Sequence, residues 1–195
     1  DWSSDVCSSD LFYAIATRLD PASGDARGLD VVALDDACAI SWRSPLWEGS
    51  VNGRVHGLAA DERGLVAAFS DRDGGVWLAS LDHDGSVRLR PTRIERHARD
   101  PQVFLQSDRE GHRSGIQVVA LRSIETGDRL ALWRFQPDGV LRDVRELAAS
   151  PAIEILSAAP DPWGGALVGY SRAETARGSP ERGAGRYGFF SRVCP

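Results

Sequence analysis

VWLASLDHDGSVRL, residues 76–89, and LALWRFQPDGVLRD, residues 130–143, are two versions of one unit. With Gly85 set on Gly139, Leu78 meets Leu132, Leu81 meets Phe135 and Val87 meets Leu141. In both, an Asp-Gly pair separates two short apolar-rich runs. Glycine accepts φ > 0 at no steric cost, so the pattern predicts a β-hairpin. VVALDDACAISW, residues 31–42, repeats the spacing more faintly, with Leu34 on Leu81 and Ile40 on Val87. GRYGFFSRVCP, residues 185–195, sets Phe190 on Leu81 and stops there.

Two further short runs precede each later hairpin. They are 55–61 and 64–71, then 101–108 and 114–123, then 152–161 and 164–173. The Asp closing the first run falls at 61, 108 and 161. The unit is therefore four short strands with a period of roughly 50 residues. Helix is a poor alternative, because Gly, Asp or Pro interrupts the runs about every 8 to 12 residues and no long 3.6-residue face is visible. VLRDVRELAA, 140–149, has helix-compatible spacing. Its place after the Asp-Gly turn predicts the fourth strand of its unit.

Four strands recurring at this period resemble the blades of a β-propeller. The resemblance implies an all-β fold, a partial propeller of about three and a half four-stranded antiparallel blades, at 12–48, 55–96, 101–150 and 152–195. The first blade lacks its first strand. The last stops after its third, which fits either a ring closed by both termini or a chain cut short. The Trp-Asp signature is absent, and double glycines occur at Gly74-Gly75 and Gly164-Gly165 only. SDRDGGVW, 70–77, has the ingredients of a sialidase-type Asp-box at the wrong spacing. No named propeller family is assigned.

Residues 1–11, DWSSDVCSSDL, stand apart. Permitted codons for them spell a common sequencing-adapter oligonucleotide, so the segment resembles a translated artefact and is excluded from fold reasoning. The formal charge of −5 includes three of its acids, and without them the charge is −2. There is no Met and no Lys, so all 23 basic residues are Arg. That usage fits a truncated, GC-rich bacterial reading frame. It is not the clustered positive charge that nucleic-acid binding requires. No apolar run approaches membrane-spanning length.

Candidate chemistry is sparse. DRDGG (71–75) and DHDG (82–85) resemble the start of a calcium loop. Position 12 is Asp82 or Arg93 and never Glu, so no metal is assigned. His83, His97 and His112 read as solvated, and no cofactor motif is present. Cys38 and Cys194 are a possible disulfide, both at hairpin-turn positions, and free thiols are the alternative. The first strand of a blade is normally innermost in a propeller. By that analogy Arg54, His56, Gln102 and Glu154 are the candidate ligand-binding residues of a central funnel, with Asp100 nearby. Trp42, Trp77 and Trp133 read as packing between blades.

These features favour a non-catalytic binding or scaffold module, exported, with a protein or glycan ligand. The alternative is part of a glycoside-acting or lactonase-like enzyme propeller whose carboxylates lie partly outside the chain. No paired-carboxylate motif is legible, so the expectation leans against an enzyme.

Overall fold

The computed structural model describes residues 11–51, 57–108, 110–161, 165–173 and 186–193. The adapter-like residues 1–10 and the loop 178–185 lie outside them. Regular structure among the described residues is entirely β. The first sheet has the order β1 (Phe12–Leu19), β2 (Ala26–Leu34), β3 (Ile40–Glu48). The second runs β4 (Gly57–Asp61), β5 (Gly64–Ser70), β6 (Val76–Leu81), β7 (Val87–Glu95). The third runs β8 (Ala98–Ser107), β9 (Arg113–Ile124), β10 (Gly127–Phe135), β11 (Leu141–Ser150). The fourth has β12 (Ile153–Asp161), β13 (Gly165–Ala173), β14 (Arg186–Val193). All neighbouring strands are antiparallel and sequential, and the sheets recur at about 50 residues, as partial β-propeller blades. The helix-compatible stretch at 140–149 is strand β11.

The hairpins form where the repeat places them. The Gly85 amide donates to the Asp82 carbonyl at 3.0 Å, and the Gly139 amide to Gln136 at 3.0 Å. Gly85 and Gly139 have φ of 85° and 90°. Each turn is followed by a register shift in the third-to-fourth strand ladder, a bulge that the left-handed residue creates. The acidic turn residues have a definite task. Asp84 and Asp138 each accept a hydrogen bond from the backbone amide two residues on. In the first sheet Cys38 takes the glycine's place at φ 60°.

Stacking follows from the central strands. β5 is buried along its whole length, on both faces. Leu65, Ala67 and Phe69 face the first sheet, where Leu29, Val31 and Leu46 meet them. Val66 and Ala68 face the third sheet and join Ile116, Val118, Trp133 and Phe135. The opposite face of the third sheet carries Phe104, Val119, Leu121 and Leu132 against Ile153, Val168 and Tyr170 of the fourth. Burying each large apolar side chain contributes roughly 1.5–3 kcal/mol. Trp133 is enclosed between sheets, and Trp42 and Trp77 pack on the layer between the first two. β8 packs on β4, and β12 on β8, so the first strands of successive sheets converge. Gly57 permits that approach, since a Cβ there would lie 2.6 Å from the Val103 amide nitrogen.

Polar clamps join the same sheets. Arg113, its side chain 2% exposed, is paired with the Asp61 carboxylate. Its Nε donates to Asp61 Oδ2 at 2.7 Å, and an Nη donates to the Gly64 carbonyl at 3.1 Å. The His83 ring is held between the Tyr13 hydroxyl, 2.9 Å from Nδ1, and the Asp61 carbonyl, 2.8 Å from Nε2.

Two predictions follow from these contacts. At Gly85 and Gly139 an Ala is expected to cost about 1–3 kcal/mol in backbone strain. Only at Gly85 does the new Cβ press on a ring, 2.9 Å from Trp42, whereas at Gly139 it meets the movable end of Leu89. Gly85→Ala is therefore expected to be the more destabilising in urea denaturation, by about a further 1–3 kcal/mol. Arg113→Ala strands the Asp61 carboxylate and is expected to cost about 3 kcal/mol or more by the same measurement. A loss below about 1 kcal/mol would show that the pair is not a clamp.

Candidate functional site: the Asp108–His112 hairpin

The β8–β9 connection carries the closest grouping of chemically versatile side chains among the described residues. Its turn is closed by Asp108. The Asp108 amide donates to the His112 carbonyl at 2.8 Å, and the Gly111 amide returns to the Asp108 carbonyl at 3.1 Å. Asp108 Oδ1 accepts from the amides of Glu110 and His112, both at 2.9 Å. Gly111 supplies the positive φ of 89°. This turn gathers three side chains on one tip. His112 Nδ1 lies 3.7 Å from Glu110 Oε2 and 3.9 Å from Asp108 Oδ1. One ligand-type atom from each residue lies within 4.8 Å of the others, and all three residues are exposed.

Two carboxylates and an imidazole at this separation can do two things. Hard oxygens plus a neutral imidazole nitrogen can hold a divalent cation. A carboxylate beside an imidazole can also pass a proton to or from a bound hydroxyl. The sequence reading of His112 as solvated agrees with its exposure, but it missed the grouping. The available signal was Asp108, Glu110 and His112 at alternate positions of a stretch closed by Gly111. Asx-type turns curl such positions toward one another, whereas a straight strand would only align them.

The funnel candidates are placed as follows. Arg54 and His56 lie outside the described residues. Gln102 is half-buried on β8, where the backbone of β4 presses closest through Gly57. Glu154 is exposed on β12, paired in register with Ser171. Asp100 is half-buried with φ 54°, inside a register shift of β8, and lies 3.9 Å from Arg99. Cys38 is exposed at its turn, and Cys194 lies outside the described residues. The calcium-like Asp turns serve the backbone. Asp71 accepts from the Gly75 amide and from Trp77 Nε1, both at 2.7 Å, and Asp82 accepts from the Ser86 hydroxyl and pairs with Arg88.

The strongest electrostatic perturbation is elsewhere. Arg134 on β10 donates to both oxygens of Asp143 on β11, with Nε to Oδ1 at 2.6 Å, and Arg145 adds a contact at 3.2 Å. The Arg134 hydrogen bonds hold the Asp143 carboxyl down at about 2. Both lone-pair faces are thereby engaged, so this carboxylate ties the outer strand down and is not poised for proton transfer.

No protein-family model and no curated protein sequence matches the chain. A solved structure described as a bifunctional GH43-CE protein of Bacteroides eggerthii is similar in fold, with a TM-score of 0.52 and 12% sequence identity. The match covers 93% of this chain and 23% of that one, so the chain spans under a quarter of the similar protein's length. At that identity the match shows the fold, a propeller-type arrangement of repeated antiparallel sheets. The lean against an enzyme is corrected by two findings: the similar structure is described as a bifunctional GH43-CE protein, and Asp108, Glu110 and His112 form a compact grouping of two carboxylates and an imidazole. Among the described residues no helix is long and apolar enough to cross a membrane.

Asp143 has a consequence for pH. A carboxyl held at about 2 in the fold titrates higher when unfolded, so the stability it contributes is present above about pH 4. It is lost as pH falls from about 4 toward 2. Asp143→Asn is expected to flatten the acid limb of a Tm-against-pH curve in that window and leave its shape above pH 5 unchanged. Superimposable acid limbs would contradict the assignment.

Proposed function

We propose that these sheets are part of a glycoside-acting propeller enzyme whose catalytic groups lie partly outside this chain. The observation that carries the reading is the fold match over 93% of the chain to a protein described as bifunctional GH43-CE. The chemistry at the Asp108–His112 turn supports it. Glycoside cleavage requires a proton donor at the leaving oxygen and a carboxylate that stabilises or attacks the sugar. Asp108 is fixed by two backbone amides and is suited to a positional role. Glu110 and His112, exposed and adjacent, are suited to proton transfer. Glu154 starts β12 beside Asp128 and Arg99, at the far end of β8 from Asp108, so Gln102 and Glu154 are proposed as glycan contacts separate from the turn.

The test is a panel of aryl glycosides together with gel-affinity retention on neutral oligosaccharides. Retention of at least one glycan is expected from this chain, with hydrolysis requiring the groups outside it. Glu110→Gln and His112→Ala are each expected to weaken that retention about tenfold, the size of one lost polar contact. A folded chain that neither cleaves nor retains any glycan would overturn the reading.

A further inference from the structure

Three Asp-Gly pairs occur in the chain: Asp73-Gly74, Asp84-Gly85 and Asp138-Gly139. All three sit in turns of one design. In each, the first amide donates to the fifth carbonyl, from Asp71 to Gly75 at 2.9 Å, from Asp82 to Ser86 at 2.9 Å and from Gln136 to Val140 at 2.8 Å. In each, the glycine has a positive φ and its amide returns to the first carbonyl, at 3.3, 3.0 and 3.0 Å in chain order. The turns differ in two respects, and both single out Asp73.

The first difference is what the aspartate of the pair holds. Asp84 Oδ1 accepts from the Ser86 amide at 2.9 Å, and Asp138 Oδ1 from the Val140 amide at 3.1 Å. In the 71–75 turn the corresponding amide, that of Gly75, is taken by another residue. Asp71 is buried, and its Oδ1 accepts from the Gly75 amide at 2.7 Å. Gly75 admits this approach, because a Cβ there would lie 2.8 Å from Asp71 Oδ2. Asp73 is left exposed, with a carboxylate that has no partner among the described residues. The second difference is cover. Trp42 lies over Gly85 and Leu89 over Gly139, 2.9 and 2.8 Å from a Cβ at each. At Gly74 the Arg96 carbonyl oxygen, 3.9 Å away, is the described atom that such a Cβ would meet. The 71–75 turn therefore has room to change shape.

An Asp-Gly pair can close on itself. The glycine nitrogen attacks the aspartate Cγ, a C–N bond forms, and the carboxyl hydroxyl leaves as water with the amide hydrogen. Water then opens the resulting succinimide at either carbonyl. One opening returns aspartate, and the other gives isoaspartate, in which the main chain runs through the aspartate Cβ and is one carbon longer. No oxidant or further reactant is consumed. A carboxylate bound to a backbone amide resists the closure, because it is turned away from the glycine nitrogen and kept ionised. The Ser86 amide holds the Asp84 carboxyl below the usual carboxylate range in this way.

We propose that Asp73 is a site of isoaspartate formation in the folded protein, and that the change releases this turn from the third sheet. The Gly74 carbonyl accepts from the Ala98 amide at the start of β8, at 2.8 Å, and so ties the second sheet to the third. One added backbone carbon at residue 73 displaces that carbonyl. Asp84 and Asp138 are spared by the amides they hold and by the side chains that cover their glycines.

The test compares the native chain, held at neutral pH and physiological temperature, with the same chain in concentrated urea. Electron-transfer fragmentation of its peptides locates isoaspartate residue by residue. In the native chain it is expected to accumulate at Asp73 about tenfold faster than at Asp84 or Asp138, the factor that one hydrogen bond to a charged group supplies. In urea, where no turn is held, the three sites are expected to react at similar rates. In the isomerised fraction, separated by chromatography, the Ala98 amide is expected to exchange its hydrogen faster than in the unmodified chain. Equal native rates at the three sites, or a native excess at Asp84 or Asp138, would overturn the proposal. So would an Asp73 excess that persists undiminished in urea, since local sequence and not the fold would then be its cause. Unaltered exchange at Ala98 would overturn the link to the third sheet.

Discussion

The central strands of every four-stranded unit are apolar on both faces, and a single sheet leaves both faces wet. β5 shows the constraint in full, since Gly64 to Ser70 are all buried. Odd-numbered residues of that strand need the first sheet and even-numbered ones need the third. No sheet here is a folding unit alone. Stability resides in the three apolar layers between sheets, which is the energetic logic of repeat architectures.

Polar groups then set how the layers register. Arg113 reaches from the start of β9 to Asp61 and Gly64 of the preceding sheet, and His83 links Tyr13 of the first sheet to Asp61. Apolar packing is tolerant of sliding, but a buried guanidinium has one acceptable position. The Asp-Gly hairpins do similar work by shape. Their left-handed glycine leaves a flat surface on which the previous sheet's outer strand can lean, with Trp42 in one layer and Leu89 in the next.

The Asp108–Glu110–His112 grouping lies where this scaffold is least constrained. Central strands have their side chains committed to the layers, which leaves turns to expose clustered polar groups. The Asp108–His112 tip is such a place, rigid in backbone through the Asp108 carboxylate and open in its side chains. A propeller-type fold of this kind serves enzymes as readily as binding modules, and fold alone does not choose between them.

Strand order and period were legible in the chain because both are local. A hairpin needs only two apolar runs and a residue that tolerates positive φ, and residues 76–89 and 130–143 display both. The stretch at 140–149 was also legible, because its position in the repeat outweighs its helix-compatible spacing. The Asp108–Glu110–His112 grouping was not. Proximity there depends on a turn that curls alternate residues together, and composition does not encode that curl. The inter-sheet clamp from Arg113 to Asp61 joins residues 52 apart, and no local pattern announces it. Sequence by itself determined the strands, their period and the turns, because those are governed by backbone conformation and side-chain alternation. Tertiary structure alone decided which charges pair and which side chain leans on each hairpin glycine, Trp42 on Gly85 and Leu89 on Gly139, because those depend on how one sheet's surface meets the next.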